Sequence, residues 1–264
     1  MPRQNKSTPH GNGYKIALID IETAPNISYT WGTFDQNVIA FQREWYILCF
    51  AVRWLHEKKT VSYALPDFKL YKTDPENDRD LVKKLWEIFD QADLLVAHNG
   101  VEFDFKKANS RFLVHGFPPP SPAKTVDTLK IARQRFAMNR NRLNDLSKML
   151  GVGEKIQTGG FDLWLKCMAK DKVAWEKMCR YCRNDVDLLL KVYERLAPWH
   201  PHHPNITLAS GESFLCPSCG SADVQRRGAL YLQSFIAQRY QCKACGRWSS
   251  GPREKIKATL LKSA

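Results

Sequence analysis

Ala17-Leu18-Ile19-Asp20-Ile21-Glu22-Thr23 decides how this chain is read. The apolar run Ile16 to Ile19 leads straight into two acids one residue apart. On a β-strand, residues i and i+2 share a face, so Asp20 and Glu22 project together from the end of a buried strand. Two carboxylates held that close repel unless a cation lies between them, and a hard divalent ion with oxygen ligands suits the place. A strand that surfaces and ends in two solvated acids fits the same seven residues.

Outward from this strand, strands and helices mix. Residues 45–55 and 60–65 read as strands, preceded by a long irregular piece, 24–45, that carries Tyr29, Trp31, Phe34 and Phe41. Its length marks a functional loop. Residues 78–92 have helical periodicity, with Leu81, Leu85 and Ile88 on one stripe. Residues 93–97 form a short buried strand ending in His98-Asn99-Gly100, and Val101 to Asp104 opens a helix to about His115. A strand at 123–128, helices at 129–136 and 142–150, and a short helical turn at 163–169 follow. The longest helix is 171–196, with apolar positions alternating by three and four. This is an α/β domain over residues 14–197.

Two further acids join the pair. Asp104 follows a buried strand, as a ligand or as a helix cap. Asp185 lies on the long helix, with Tyr181 four residues before it on the same face. Asp187 and Glu102 point away from them. Asp20, Glu22, Asp104 and Asp185 come from three elements, and such a set can converge on two divalent ions that hydrolyse a phosphodiester, with the Tyr181 hydroxyl orienting the water.

Asp20-Ile21-Glu22-Thr23, Asn99-Gly100-Val101-Glu102-Phe103-Asp104 and Tyr181-Cys182-Arg183-Asn184-Asp185 together resemble the three exonuclease motifs of the DEDD superfamily. That superfamily includes polymerase proofreading domains. Tyrosine four residues before the last Asp resembles the tyrosine type; the histidine type has His five before, where this chain has Arg180. The resemblance covers residues 14–197. It implies a ribonuclease-H-like mixed five-stranded sheet flanked by helices, and 3′–5′ removal of nucleotides with two Mg²⁺ or Mn²⁺. It implies Asp20, Glu22, Asp104 and Asp185 as metal ligands and Tyr181 as the residue that positions water. Thr23, Asn99 and Phe103 fall where the family touches the terminal nucleotide, and Trp31 or Phe34 is expected to stack on a base at the substrate entrance.

After Pro198 the composition changes. Residues 198–210 read as a Pro/His linker, whose His200, His202 and His203 can contact phosphate or bind metal. Residues 211–264 carry Cys216-Pro-Ser-Cys219-Gly and Cys242-Lys-Ala-Cys245-Gly, two knuckles with 22 residues between them. Four thiolates so paired suit one tetrahedral structural Zn²⁺, and the whole resembles a small β-rich zinc ribbon with a hairpin over 224–240. A redox dithiol pair is the other reading. From residue 205 onward nine Lys/Arg, Arg226 and Arg227 among them, face three acids, with aromatics interleaved. This composition suits binding of nucleic acid, and docking of another protein is the alternative.

The chain is strongly basic, net charge +13 over 264 residues, and 44% hydrophobic. That balance points to a polyanionic partner, and a separate polymerase or repair protein is a further expected partner. Cys49, Cys167, Cys179 and Cys182 sit in apolar patterns as core thiols. No signal peptide or membrane-length apolar run is visible, so a cytoplasmic protein is expected, small and of prokaryotic or phage type. The polar N-terminus, residues 1–13, is expected to be disordered. DNA is favoured over RNA as substrate, single-stranded DNA in particular. An endonuclease on the same fold and a non-catalytic zinc-dependent nucleic-acid-binding protein are the rival readings.

Overall fold

The computed structural model describes residues 14–212, 214–232 and 235–255; the N-terminal stretch 1–13 and the end of the basic tail, Lys257 and Lys262 included, lie outside the described residues. The chain forms two compact units, 15–193 and the part from Glu194 onward.

The first unit is a mixed five-stranded sheet flanked by helices. Its strands are β1 (Ile16–Thr23), β4 (Ile47–Trp54), β5 (Val61–Ala64), β6 (Leu94–Ala97) and β7 (Lys124–Asp127), in the order β5-β4-β1-β6-β7. β1 is central, antiparallel to β4 and parallel to β6, which is parallel to β7. A central strand covered on both faces reads as a continuous apolar run, and Ile16 to Ile19 are all buried. The C-terminal ends of β1, β6 and β7 therefore open on the same side of the sheet.

The helices are α1 (Arg79–Gln91), α2 (Asp104–Val114), α3 (Thr128–Arg135), α4 (Leu143–Met149), α5 (Asp162–Met168) and α6 (Lys172–Leu196). α1 buries Leu81, Val82, Leu85, Ile88 and Phe89. Phe89 packs edge-on against Phe105 and Phe112 of α2, with ring centroids 6.0 and 5.3 Å apart. α6 lies along β1 and β4. The Cys182 thiol is 3.5 Å from the Asp20 carbonyl, and Asp187, pointing away from the other acids, pairs with Arg53 at 3.0 Å.

The piece 24–45 is more ordered than its composition suggests. β2 (Ile27–Tyr29) and β3 (Ala40–Arg43) pair antiparallel as a hairpin. Trp31, 90% exposed, and Phe34, 84% exposed, stand in its connecting loop.

The turn after β6 shows why its residues are what they are. Asn99 has φ of +68°, a conformation in which Asn is enriched. A Cβ on Gly100 would lie 2.4 Å from the Ala97 Cβ, so only glycine fits. Asp127 accepts hydrogen bonds from the amides of Asn99 and Leu129, both at 2.9 Å, fixing that turn while capping α3.

Asp78, fully buried before α1, ties three elements together. It accepts the Ile47 amide at 2.8 Å, Nε of Arg111 at 2.8 Å and Nη2 at 2.5 Å, and its Oδ1 lies 2.6 Å from His115 Nε2. Every lone-pair direction of the carboxylate is used.

The second unit carries β8 (Val224–Tyr231), β9 (Phe235–Cys242) and β10 (Trp248–Lys255) in the order β10-β9-β8. The expected hairpin is present, with a third strand beyond it. The Gly220 and Gly246 amides donate to the Cys216 and Cys242 carbonyls at 2.9 Å, each glycine with φ above +70°. His203, read in the sequence as a linker residue that can contact phosphate or bind metal, is buried. Its Nδ1 bonds the Pro204 carbonyl at 2.8 Å. Burial pushes its imidazole down to about 4, so it is neutral near pH 7.

Asp78→Ala should lower stability in urea unfolding by about 3–5 kcal/mol, because it strips the half-buried Arg111 of its counter-charge and the buried Ile47 amide of its acceptor. Arg111→Ala alone should cost a comparable amount, and the double variant less than the sum.

Candidate active site

β1 delivers Asp20 and Glu22 to one face by the period of two, and a bulge in its pairing with β4 falls immediately after Glu22. α6 delivers Asp185 and, one turn earlier, Tyr181. Carboxylate oxygens of Asp20, Glu22 and Asp185 all lie within 4.8 Å of one another. Asp104, the first residue of α2, stands outside that trio. Its Oδ1 accepts the Ile21 amide at 2.9 Å, so it holds the backbone between the two β1 acids.

This crowding shows in the proton affinities. Burial, then the Asp185 charge, raise Asp20 to about 7 despite the opposing pull of Lys155. Burial and Asp20 raise Glu22 well above the carboxylate range. Asp104 is raised by the same two causes. Asp185 is raised by burial, which outweighs Lys155.

Lys155 is the residue sequence reading missed. Its Nζ lies 2.5 Å from Asp185 Oδ2 and 3.2 Å from the Tyr181 hydroxyl. The irregular segment that carries it is pinned at four points. Lys155 N donates to Asn144 Oδ1 at 2.9 Å and Ile156 N to Asn184 Oδ1 at 3.1 Å. Lys177 and Lys191 on α6 donate to the carbonyls of Thr158 and Val152 at 2.8 and 3.2 Å. One lysine among 40 Lys/Arg carries no signal of its own.

The donor set suits divalent cations. Three carboxylates, Asp185 buried and Asp20 and Glu22 half-buried, share one ammonium, and Asp185 Oδ1 is buried with no hydrogen-bond partner among the described residues. Hard oxygen ligands in excess of positive charge match a hard divalent cation. Tyr181 is raised by burial and then by the nearby acids, so its phenol stays protonated.

The other expected site residues are more dispersed. Thr23 is half-buried at the end of β1, Asn99 half-buried in the turn after β6, and Phe103 exposed just before α2. Arg226 and Arg227 are exposed on β8, with the Arg227 guanidinium 5.7 Å from the Trp248 ring centre and Arg239 at 5.4 Å from it.

In the second unit, the sulfurs of Cys216, Cys219, Cys242 and Cys245 lie within 4.8 Å of one another. The Cys216–Cys245 and Cys219–Cys242 pairs are each 3.7 Å apart, close to the ~3.8 Å edge of a tetrahedron with Zn–S bonds of ~2.3 Å. All eight cysteines are free thiols. The cluster and the three-stranded sheet fit a zinc ribbon.

The model of the RNase_H superfamily matches residues 41–197. That span begins after β1 and contains Asp104, Lys155, Tyr181 and Asp185. No curated protein matches the chain. Among solved structures, a family B DNA polymerase from the hyperthermophilic archaeon Pyrobaculum calidifontis is similar in fold, with TM-score 0.52 and 14% identity over 84% of this chain. The match covers 32% of the polymerase chain, so this protein spans about a third of that length. No helix among the described residues is long and apolar enough to cross a membrane.

In chelator, Asp20→Asn should leave thermal stability unchanged near pH 4 and raise it above wild type at pH 8. The folded state holds the Asp20 proton up to about pH 7 while the unfolded chain releases it near ~4, so ionising this group destabilises the fold as pH rises between the two. Lys155→Met should move the melting temperature the other way at pH 8. Scanning calorimetry of both variants across pH reads the two signs.

Proposed function

The chain belongs to the RNase_H superfamily, a nuclease fold, and from that premise we propose that it is a metal-dependent 3′–5′ exonuclease acting on single-stranded DNA. The observation that carries this reading is the convergence of Asp20, Glu22 and Asp185 within 4.8 Å, one turn of helix from Tyr181. The residues assigned are Asp20, Glu22, Asp104 and Asp185 as ligands to two Mg²⁺ or Mn²⁺. Divalent ions bound there supply activation of water and neutralisation of charge at the scissile phosphate.

The chain's own groups do the rest. Asp104 keeps Asp20 and Glu22 on one face by holding the Ile21 amide. The Tyr181 phenol, protonated and 3.2 Å from Lys155, orients the attacking water through its oxygen and is no base. Lys155 balances Asp185 and steadies that phenol. Thr23, Asn99 and Phe103 face the terminal nucleotide, with Trp31 or Phe34 stacking at the entrance.

We assign residues 14–197 to the nuclease domain, 198–210 to a linker and 211–264 to a ribbon holding one structural Zn²⁺. The ribbon grips substrate through Arg226, Arg227 and the Trp248 ring, since guanidinium groups contact phosphates and exposed aromatics stack on bases. A separate polymerase is the expected partner.

With Mg²⁺ or Mn²⁺, a 5′-labelled single strand should shorten stepwise from its 3′ end, while a circular single strand stays intact. Asp20→Ala and Asp185→Ala should abolish turnover, and Tyr181→Phe should slow it ~10²-fold with little change in KM. Cutting of the circle would instead identify an endonuclease. Tight binding with no hydrolysis in Mn²⁺ would identify a non-catalytic binding protein.

A further inference from the structure

The segment from Thr128 to Arg142 holds Lys130, Arg133, Arg135, Arg140 and Arg142 and no acid. All five cationic residues are exposed. Lys130 is loosely paired with Glu102 at 3.8 Å, but Arg133, Arg140 and Arg142 make no ion pair with any described residue. Five like charges in so short a stretch repel one another.

The segment is also held in place. β7 ends in Asp127, which caps α3, and α3 with the loop behind it carries the cations. His98, at the end of β6, spans both ends of the segment: its Nδ1 lies 2.9 Å from Thr128 Oγ1 and its Nε2 2.9 Å from the Asn141 carbonyl. β1, β6 and β7 are parallel, so the end of the sheet that carries Asp20 and Glu22 also carries His98 and the root of this loop. Burial lowers His98 to about 4, against the opposing pull of the Asn141 carbonyl and Asp127. The clamp is a neutral imidazole near pH 7.

We propose that this clamped cationic loop, 130–142, is a track for the sugar–phosphate backbone of a single nucleic-acid strand whose end reaches the acid cluster. The inference rests on the nuclease reading for where the strand ends, and on charge, exposure and anchoring for where it runs. The contacts are to phosphates, so the track is indifferent to sequence.

The test uses the full-length protein and the variant Arg133→Gln/Arg140→Gln/Arg142→Gln, whose exposed changes leave the core alone. Binding of single strands of about 4 and about 20 nucleotides is followed by fluorescence anisotropy in chelator across a salt series. For the long strand the variant should bind ~10–100-fold more weakly, and the slope of log K against log salt should fall by roughly 2, about 0.7 for each lost phosphate contact. For the short strand, affinity should be unchanged, as should its hydrolysis in Mn²⁺. An unaltered slope for the long strand overturns the track. So does polyglutamate displacing the long strand from wild type as well as an unlabelled strand does, which marks the loop as a dock for an acidic protein. If neither protein cuts either strand in Mn²⁺ yet the slope differs as expected, the nuclease reading fails and the track stands.

Discussion

Three carboxylates, two half-buried and one buried, share a site with one ammonium, and much of the first unit is arranged to keep them there. Asp20 and Glu22 cannot swing apart because β1 is the central strand, paired with β6 over Ile16 to Leu18 and with β4 from Ala17 through both acids to Thr23. Asp185 cannot retreat because α6 is pinned to β1, β5 and β4 through Cys182, Arg183 and Asp187. Lys155 is brought to the acids by a segment tied to α4 and α6 at four points. Burying like charges costs free energy that one lysine offsets only in part. The fold therefore holds the three carboxylates together against their own repulsion.

The stability that tolerates this strain comes from elsewhere in the unit. The aromatic contacts of Phe89 with α2 and the continuous apolar run of β1 supply burial. The Asp78 network joins the starts of β4 and α1 to α2 with short, charge-assisted hydrogen bonds. An apolar cavity of about 460 Å³ beside Phe89, Phe105 and Phe112, walled by Pro118 to Pro120, is lined by none of the acids. In this fold that apolar space and the acid cluster are separate.

The parts of the site that obey a short period were legible in the sequence. Asp20 and Glu22 are two apart on a strand, Tyr181 and Asp185 four apart on a helix, and each pair meets for that reason alone. Lys155 has no periodic element around it; it reaches Asp185 through side-chain tethers from Asn144 and Asn184, which no local pattern announces. The β2–β3 hairpin hides for a related reason, since its strands are short and a ten-residue loop separates them. β10 hides because Gly251-Pro252 breaks its alternation. The register shift between Ser250 and Arg253 absorbs that break, and β10 is an edge strand, where proline is tolerated. His203 misleads because a proline-flanked histidine looks solvated until the second unit folds over it.

Asp78 and Asp185 show how a buried acid that builds the fold differs from one that waits for a ligand. Both are almost wholly removed from solvent, at 0% and 1% exposure, so burial does not separate them. Asp78 meets a backbone amide, both arms of a guanidinium and an imidazole, and neither of its oxygens lacks a partner. Asp185 meets one ammonium at Oδ2 and leaves Oδ1 without a hydrogen bond, with two more carboxylates facing it. An unpaired buried oxygen costs on the order of 1–3 kcal/mol, which the chain bears at Asp185 and avoids at Asp78. The difference lies in the donors present, since the residue type and the depth are the same. At Asp185 the missing donor and the surplus negative charge call for the same remedy, a cation held by oxygens.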